Sequence, residues 1–200
     1  AKVYRREATI IYPPVDVGRF APSNRIEDYY LFVGRLVPYR RLDLLIEAFN
    51  RMGRPLMIAG SGRDRERLEP LAGPTVKFLG FVPDADLPDL LARCRAFMWP
   101  GEEDFGISPL QANAAGRPVI AYAAGGALET VITGPAGSVT GALFAEQSVT
   151  AIIEAVESFD PLSVSPGVAR RHAEQFDVAV FKGFTDVLKL LGGKLEFDHQ

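Results

Sequence analysis

Brief apolar runs alternate with amphipathic stretches along most of this 200-residue chain. Tyr29–Val33, Pro55–Ala59, Val76–Leu79, Ala96–Trp99 and Pro118–Tyr122 are too short for helices and are bounded by turn residues, so they read as buried strands. Between them, Leu42, Leu45, Ile46 and Phe49 recur at steps of three and four, which predicts a helix over Leu42–Met52. Arg63–Leu71, Asp86–Arg93 and Leu128–Ile132 read as further helices. So does Ser148–Phe159, with Val149, Ile152, Ile153 and Val156 on one face. The last two are Pro166–Gln175 and Val178–Leu191, the second carrying a stripe of Phe181, Phe184, Leu188 and Leu191. Repeated strand-then-helix units predict an α/β fold, a parallel sheet with helices on both faces. In such sheets ligands bind beyond the carboxyl ends of the strands. The turns at Gly34, Gly60-Ser61-Gly62, Gly80 and Gly125-Gly126 all fall there, as candidates to line one crevice.

The chain opens differently. An apolar run, Thr9-Ile10-Ile11-Tyr12, meets Pro13-Pro14, a pair that locks an extended segment. Residues 1–22 therefore read as an entry strand and linker, following something that precedes them. Residues 23–192 read as one domain and 193–200 as a tail.

The densest chemistry lies in Pro100–Arg117. An acidic loop, Glu102-Glu103-Asp104, turns at Phe105-Gly106 into a short helix. Ser108 suits its N-cap, Pro109 its first position and Gly116 its stop. The backbone N–H groups of Gly106, Ile107 and Ser108 would then face the crevice. Free amides and the helix dipole together favour an anion there. Arg35, Arg40 and Arg41 follow the first strand, and guanidinium groups match phosphate oxygens bidentately. The acidic loop could accept hydrogen bonds from ligand hydroxyls, with Gln111 facing the same crevice.

Composition narrows the choice. Twenty-two basic against 25 acidic residues leave a net charge of −3, which argues against nucleic-acid or anionic-membrane binding by bulk charge. The single cysteine, Cys94, allows no internal disulfide and fits a reducing compartment. His172 and His199 stand far apart, so no metal-ligand cluster is readable. No apolar run is long enough to span a bilayer. Gly60-Ser61-Gly62 is only part of a dinucleotide fingerprint, because Arg65 stands where its third glycine belongs. Cys94, His172 and Trp99 read as packing residues.

Several motifs, in order and spacing, resemble glycosyltransferase family four. They are Gly34-Arg35-Leu36-Val37-Pro38-Tyr39-Arg40, Gly60-Ser61-Gly62, Gly80-Phe81-Val82, Phe105-Gly106 with its acid and helix, and Gly125-Gly126-Ala127-Leu128-Glu129. Tyr12-Pro13-Pro14-Val15-Asp16 resembles the linker between the two halves of these enzymes. The likeness is to the C-terminal, nucleotide-sugar-binding half of a GT-B fold, a Rossmann-like domain, with wording closest to mannosyltransferase-like members. It implies the donor domain of a retaining transferase that moves a hexose, mannose foremost, to a glycan or lipid-linked acceptor. The donor would be GDP-mannose or a UDP-sugar, with no metal or other cofactor. Arg35 and Arg40 would hold the diphosphate, and Gly106, Ile107 and Ser108 its distal phosphate. Glu103 would bond the sugar, beside Phe105. Gly34 and Gly60 would border the donor, and Val82 and Leu87 would flank the base.

Two positions depart from the family. Arg40 stands where lysine is usual. Gln111 replaces the glutamate that grips the ribose diol, a loss of about 1–3 kcal/mol that should weaken donor binding without removing it. The acceptor-binding half would be a missing N-terminal domain, through which a cytoplasmic enzyme could lie against a membrane. Two other readings stay open: a non-catalytic nucleotide-sugar or regulatory module of the same fold, and a non-hydrolysing sugar-nucleotide epimerase.

Overall fold

The computed structural model describes residues 10–135 and 137–190. Six parallel strands form one sheet in the order β3-β2-β1-β4-β5-β6. They are β1 (Tyr30–Val33), β2 (Leu56–Ala59), β3 (Val76–Gly80), β4 (Ala96–Trp99), β5 (Val119–Tyr122) and β6 (Gly141–Phe144). The helices are α1 (Leu42–Met52), α2 (Arg65–Leu68), α3 (Leu87–Arg93), α4 (Ile107–Ala114), α5 (Ala127–Thr130), α6 (Val149–Ser158), α7 (Pro166–Glu174) and α8 (Val178–Leu190). The α1 and α6 helices pack together, as do α4 and α7.

The central strands are buried on both sides, so they carry no polar alternation. Leu31, Phe32, Phe97, Met98, Val119 and Ile120 are all completely buried. Register places Leu31 beside Phe97 and Phe97 beside Val119. Strand order reverses between β1 and β4. Chains leave these two strands toward opposite faces and open a crevice at their carboxyl ends. Gly34-Arg35 follows β1 and Pro100-Gly101 follows β4, so both arginine and acidic loops start at that crevice.

The structure departs from the sequence reading in several places. The expected entry strand is not formed over Ile10–Pro14, and only Val15 makes a bridge, to Asp177. Pro13 and Pro14 have no N–H to give a ladder. Yet Val15, Val17 and Phe20 are buried in the core. The helix expected over Arg63–Leu71 shortens to α2 plus a 3-10 turn at Glu69–Leu71, where Pro70 lacks a donor. Strand β6 was not foreseen. Among the described side chains of α8, Thr185 is the buried one, while Phe184 lies half exposed and lines an apolar groove with Ile10, Ile11 and Phe176. Of the expected α8 stripe, the Leu188 side chain and Leu191 lie outside the described residues, as do the tail and the first nine positions.

His172 is a packing residue, as expected. Its Nε2 lies 2.8 Å from the Thr130 carbonyl, an atom that only accepts, so the neutral ring carries its proton there. Burial pulls its pKa below 6.5, outweighing that hydrogen bond. The unfolded chain therefore binds a proton at pH values where the folded chain resists one. Stability is full above about pH 7 and falls as pH drops below the ordinary imidazole value. Urea denaturation of the parent chain and His172→Gln from pH 7.5 to 5 should show this part of the slope disappear in the variant.

Candidate functional site

Arg40 ends a 3-10 turn, Pro38–Arg40, that follows β1. Its guanidinium sits 4.3 Å from the centroid of the Trp99 ring and 5.1 Å from that of Tyr39. Trp99 closes β4 and stacks in turn on Phe32 and Phe97. A cation on an aromatic face, largely out of water, is stabilised and fixed in direction. Arg40 forms an ion pair with Glu103, and only 10% of the arginine side chain is exposed. Nη1 and Oε2 are the atoms that face each other in that pair, while Arg40 Nε is buried with no hydrogen-bond partner. A buried donor is seldom left so, and an unsatisfied guanidinium N–H suits an anionic ligand.

The acidic loop is held from three sides. Gln147 Nε2 donates to the Pro100 carbonyl at 3.0 Å, where the loop begins. The Gly126 amide donates to the Glu103 carbonyl at 2.7 Å. The Phe105 ring packs in a triangle with Tyr12, stacked at 5.4 Å, and Phe176 at 5.6 Å. Gly125-Gly126 packs against the acidic loop. It lets two backbones meet: a Cβ on Gly126 would lie 2.3 Å from Phe105 Cα.

The α4 helix starts two residues earlier than a Ser108 cap would place it. Gly106, at φ 89°, is the N-cap, and no side chain caps the helix. Ile107 and Ser108 open the first turn and Pro109 is third, still within the turn whose amides have no helical partner. Proline therefore costs no hydrogen bond there. The stop is as expected. Gly116, at φ 75°, donates to Asn113, and Arg117 donates to Ala112, the two bonds of a Schellman ending.

Two cavities result. One, of about 290 Å³, is lined by Pro13, Arg40, Trp99 and the run Glu103 to Ser108. The other, of about 280 Å³, is lined by Gly34, Arg35, Gly60, Ser61, Phe81, Val82, Asp84 and Leu87 among others. Arg40, Glu103, Phe105, Gly106, Ile107 and Ser108 therefore meet in the first, and Gly34, Arg35, Gly60, Val82 and Leu87 in the second. The two arginines expected on one diphosphate line separate cavities at the carboxyl ends of neighbouring strands. Gln111, partly buried on α4, lines neither. Gly60 joins the β1 and β2 turns so closely that a Cβ, at φ 131°, would meet the Gly34 carbonyl oxygen at 1.9 Å. Asp84 was not singled out from sequence. Its carboxylate lies 3.5 Å from Arg19 at the edge of the second cavity. Pro13 and Trp99 were likewise missed as walls of the first cavity, and Tyr12 as the ring against its Phe105. No spacing rule signals a ring that approaches from another element.

Comparison with known proteins agrees with this architecture. The model of the family "Glycosyl transferases group 1" matches residues 19–160. A GDP-mannose-dependent alpha-(1-6)-phosphatidylinositol monomannoside mannosyltransferase of Mycolicibacterium smegmatis is 32% identical over 191 residues, 80% of this chain and 50% of that protein. A D-inositol 3-phosphate glycosyltransferase of Geodermatophilus obscurus is 31% identical over 205 residues, 86% of this chain and 44% of that one. The chain thus spans about half the length of these curated relatives. Among solved structures, the sucrose-phosphate synthase of Thermosynechococcus elongatus superposes with a TM-score of 0.78 at 24% identity, over 91% of this chain and 52% of that one. Anabaena HepE in complex with UDP-glucose superposes with a TM-score of 0.75 at 23% identity, over 91% and 57%. The fold is the Rossmann-like half of GT-B glycosyltransferases. On the extent of the family match, the chain belongs to the group 1 glycosyl transferases.

Proposed function

We propose that this chain is the donor-binding half of a retaining hexosyltransferase, and that it binds a nucleoside-diphosphate sugar, GDP-mannose or a UDP-sugar. The observation that carries the reading is the first cavity. An arginine seated on Trp99, a carboxylate paired with it and a bare helix tip share one cavity. The guanidinium and the amides of Gly106, Ile107 and Ser108 would hold the diphosphate and stabilise it as it leaves. The Glu103 carboxylate would accept a hydrogen bond from a sugar hydroxyl. The second cavity, with its apolar wall at Val82 and Leu87, would take the base, and Arg35 would reach the phosphates from that side.

Mannose is favoured by the GDP-mannose-dependent relative, and a nucleotide donor by the UDP-glucose complex of the structural neighbour. No metal or cofactor is needed, since the cation and helix tip supply the positive charge. A glycan or lipid-linked acceptor would be carried by a further domain, which could also bring the enzyme to a membrane. Among the described residues, no helix is long and apolar enough to cross one.

Isothermal titration of the chain with GDP and with UDP should give saturable heat for one of them. Arg35→Ala, at an exposed position, should weaken that binding about tenfold. Absence of heat with every nucleoside diphosphate would overturn the proposal. Gln111, where the family carries glutamate, favours a second reading as a non-catalytic module. Sugar transfer by the full-length gene product would end it.

A further inference from the structure

We infer that Tyr12 is a positioning residue for the diphosphate site. It holds the Phe105-Gly106 turn, and with it the amides at the tip of α4, in the arrangement that accepts an anion. The inference rests on the donor-binding reading above.

The residue before the proline pair is exposed to solvent over 37% of its surface, yet its ring has two aromatic neighbours. Its ring stacks on Phe105 at 5.4 Å with only 21° between planes, and meets Phe176 edge-on at 5.4 Å. The Glu129 carboxylate, on the side of its hydroxyl, raises the phenol pKa above its ordinary value. Glu129 lies on α5, directly after the glycine that supports the Phe105 backbone. Phe105 is thus fixed from two directions, its backbone by Gly126 and its ring by Tyr12 and Phe176.

The next residue, Pro13, forms a wall of the cavity. Two residues on, Val15 is anchored, its amide donating to Phe176 at 2.8 Å while its carbonyl accepts from Val178 at 3.2 Å. Val17 adds a bond to Asp177. The anchored stem gives the Tyr12 ring a defined place. Without the ring, Phe105 has one aromatic neighbour fewer, and the turn that follows it gains freedom. Gly106 has no side chain of its own to restrict that turn. Amides that must be ordered on binding bind more weakly than amides already in place.

The test compares nucleoside diphosphate with nucleoside monophosphate, because only the first places a distal phosphate at the α4 tip. Titrations use the 200-residue chain, with the GDP/GMP or UDP/UMP pair that it binds, and thermal unfolding as a check on folding. Tyr12→Ala should bind the diphosphate about two- to tenfold more weakly. Its monophosphate affinity should match the parent's. Tyr12→Phe, which keeps the ring and loses the hydroxyl, should stay close to the parent. Unchanged diphosphate binding in Tyr12→Ala would overturn the inference. A parallel loss of both nucleotides would do the same, since that is what a merely structural role produces. If the parent chain binds neither nucleotide, the donor-binding reading fails, and this one with it.

Discussion

Arg40→Ala is expected to remove nucleoside-diphosphate binding at concentrations that saturate the parent chain. The guanidinium is nine-tenths buried, rests on Trp99 and faces Glu103. Truncation would delete the donors that meet the phosphate. It would also leave a partly buried carboxylate without its cation, and a charge stranded in this way is costly. Loss of one partner of a charge pair buried across a binding interface, here Arg40 against the phosphate, costs about 2–5 kcal/mol. In affinity that is on the order of thirty- to several-thousandfold. Arg40→Lys should fall between the two, since it keeps the charge but loses the planar fork. Titration calorimetry on the three proteins decides the matter. An alanine variant that binds within about twofold of the parent would remove Arg40 from the site.

A methyl group at position 126 should be nearly as damaging, though it touches no ligand. In Gly126→Ala the new Cβ would lie 2.3 Å from both Cα and the carbonyl oxygen of Phe105. The obstacle is backbone, so no side chain can swing away, and the acidic loop itself must move. Overpacking of this kind costs about 1–3 kcal/mol, sometimes more. The shift would also strain the bond from the Gly126 amide to Glu103. Urea denaturation should show the lost stability, and calorimetry should show diphosphate binding fall with it. Gly183→Ala, where the added carbon meets nothing within 4 Å, is the matched control. It sits inside α8, and should be neutral or stabilising by up to about 1 kcal/mol. If Gly126→Ala keeps parental stability and binding, the loop is not supported as described.

Much of the sheet was readable because its inner strands are wholly apolar. Phe97 and Ile120 look buried in any window, and they are. Strand β6 was not readable for the opposite reason. Gly141-Ala142-Leu143-Phe144 has no β-branched residue and opens on a glycine, whose absent side chain lets it lie against Val119. The helix after the acidic loop was placed correctly but capped wrongly. Ser108 has the right chemistry for a cap, yet Gly106 reaches a backbone angle that serine would resist. The acids and cations of the site were visible as residue types at strand ends. Their division between two cavities was not, because it depends on how the turn at Pro38 folds Arg40 back over β4. Trp99 looked like core, and it is buried. Its second use, as the seat of a cation from another loop, leaves no trace in linear order.

That seat has a practical consequence. The chain has a single tryptophan. Its indole lies directly beneath the charge that an incoming phosphate would contact. A ligand that draws the guanidinium off the ring changes the field at the only strong fluorophore in the molecule. The pocket therefore carries its own optical reporter, readable by emission in the native chain, with no label attached and no second indole to mask the signal.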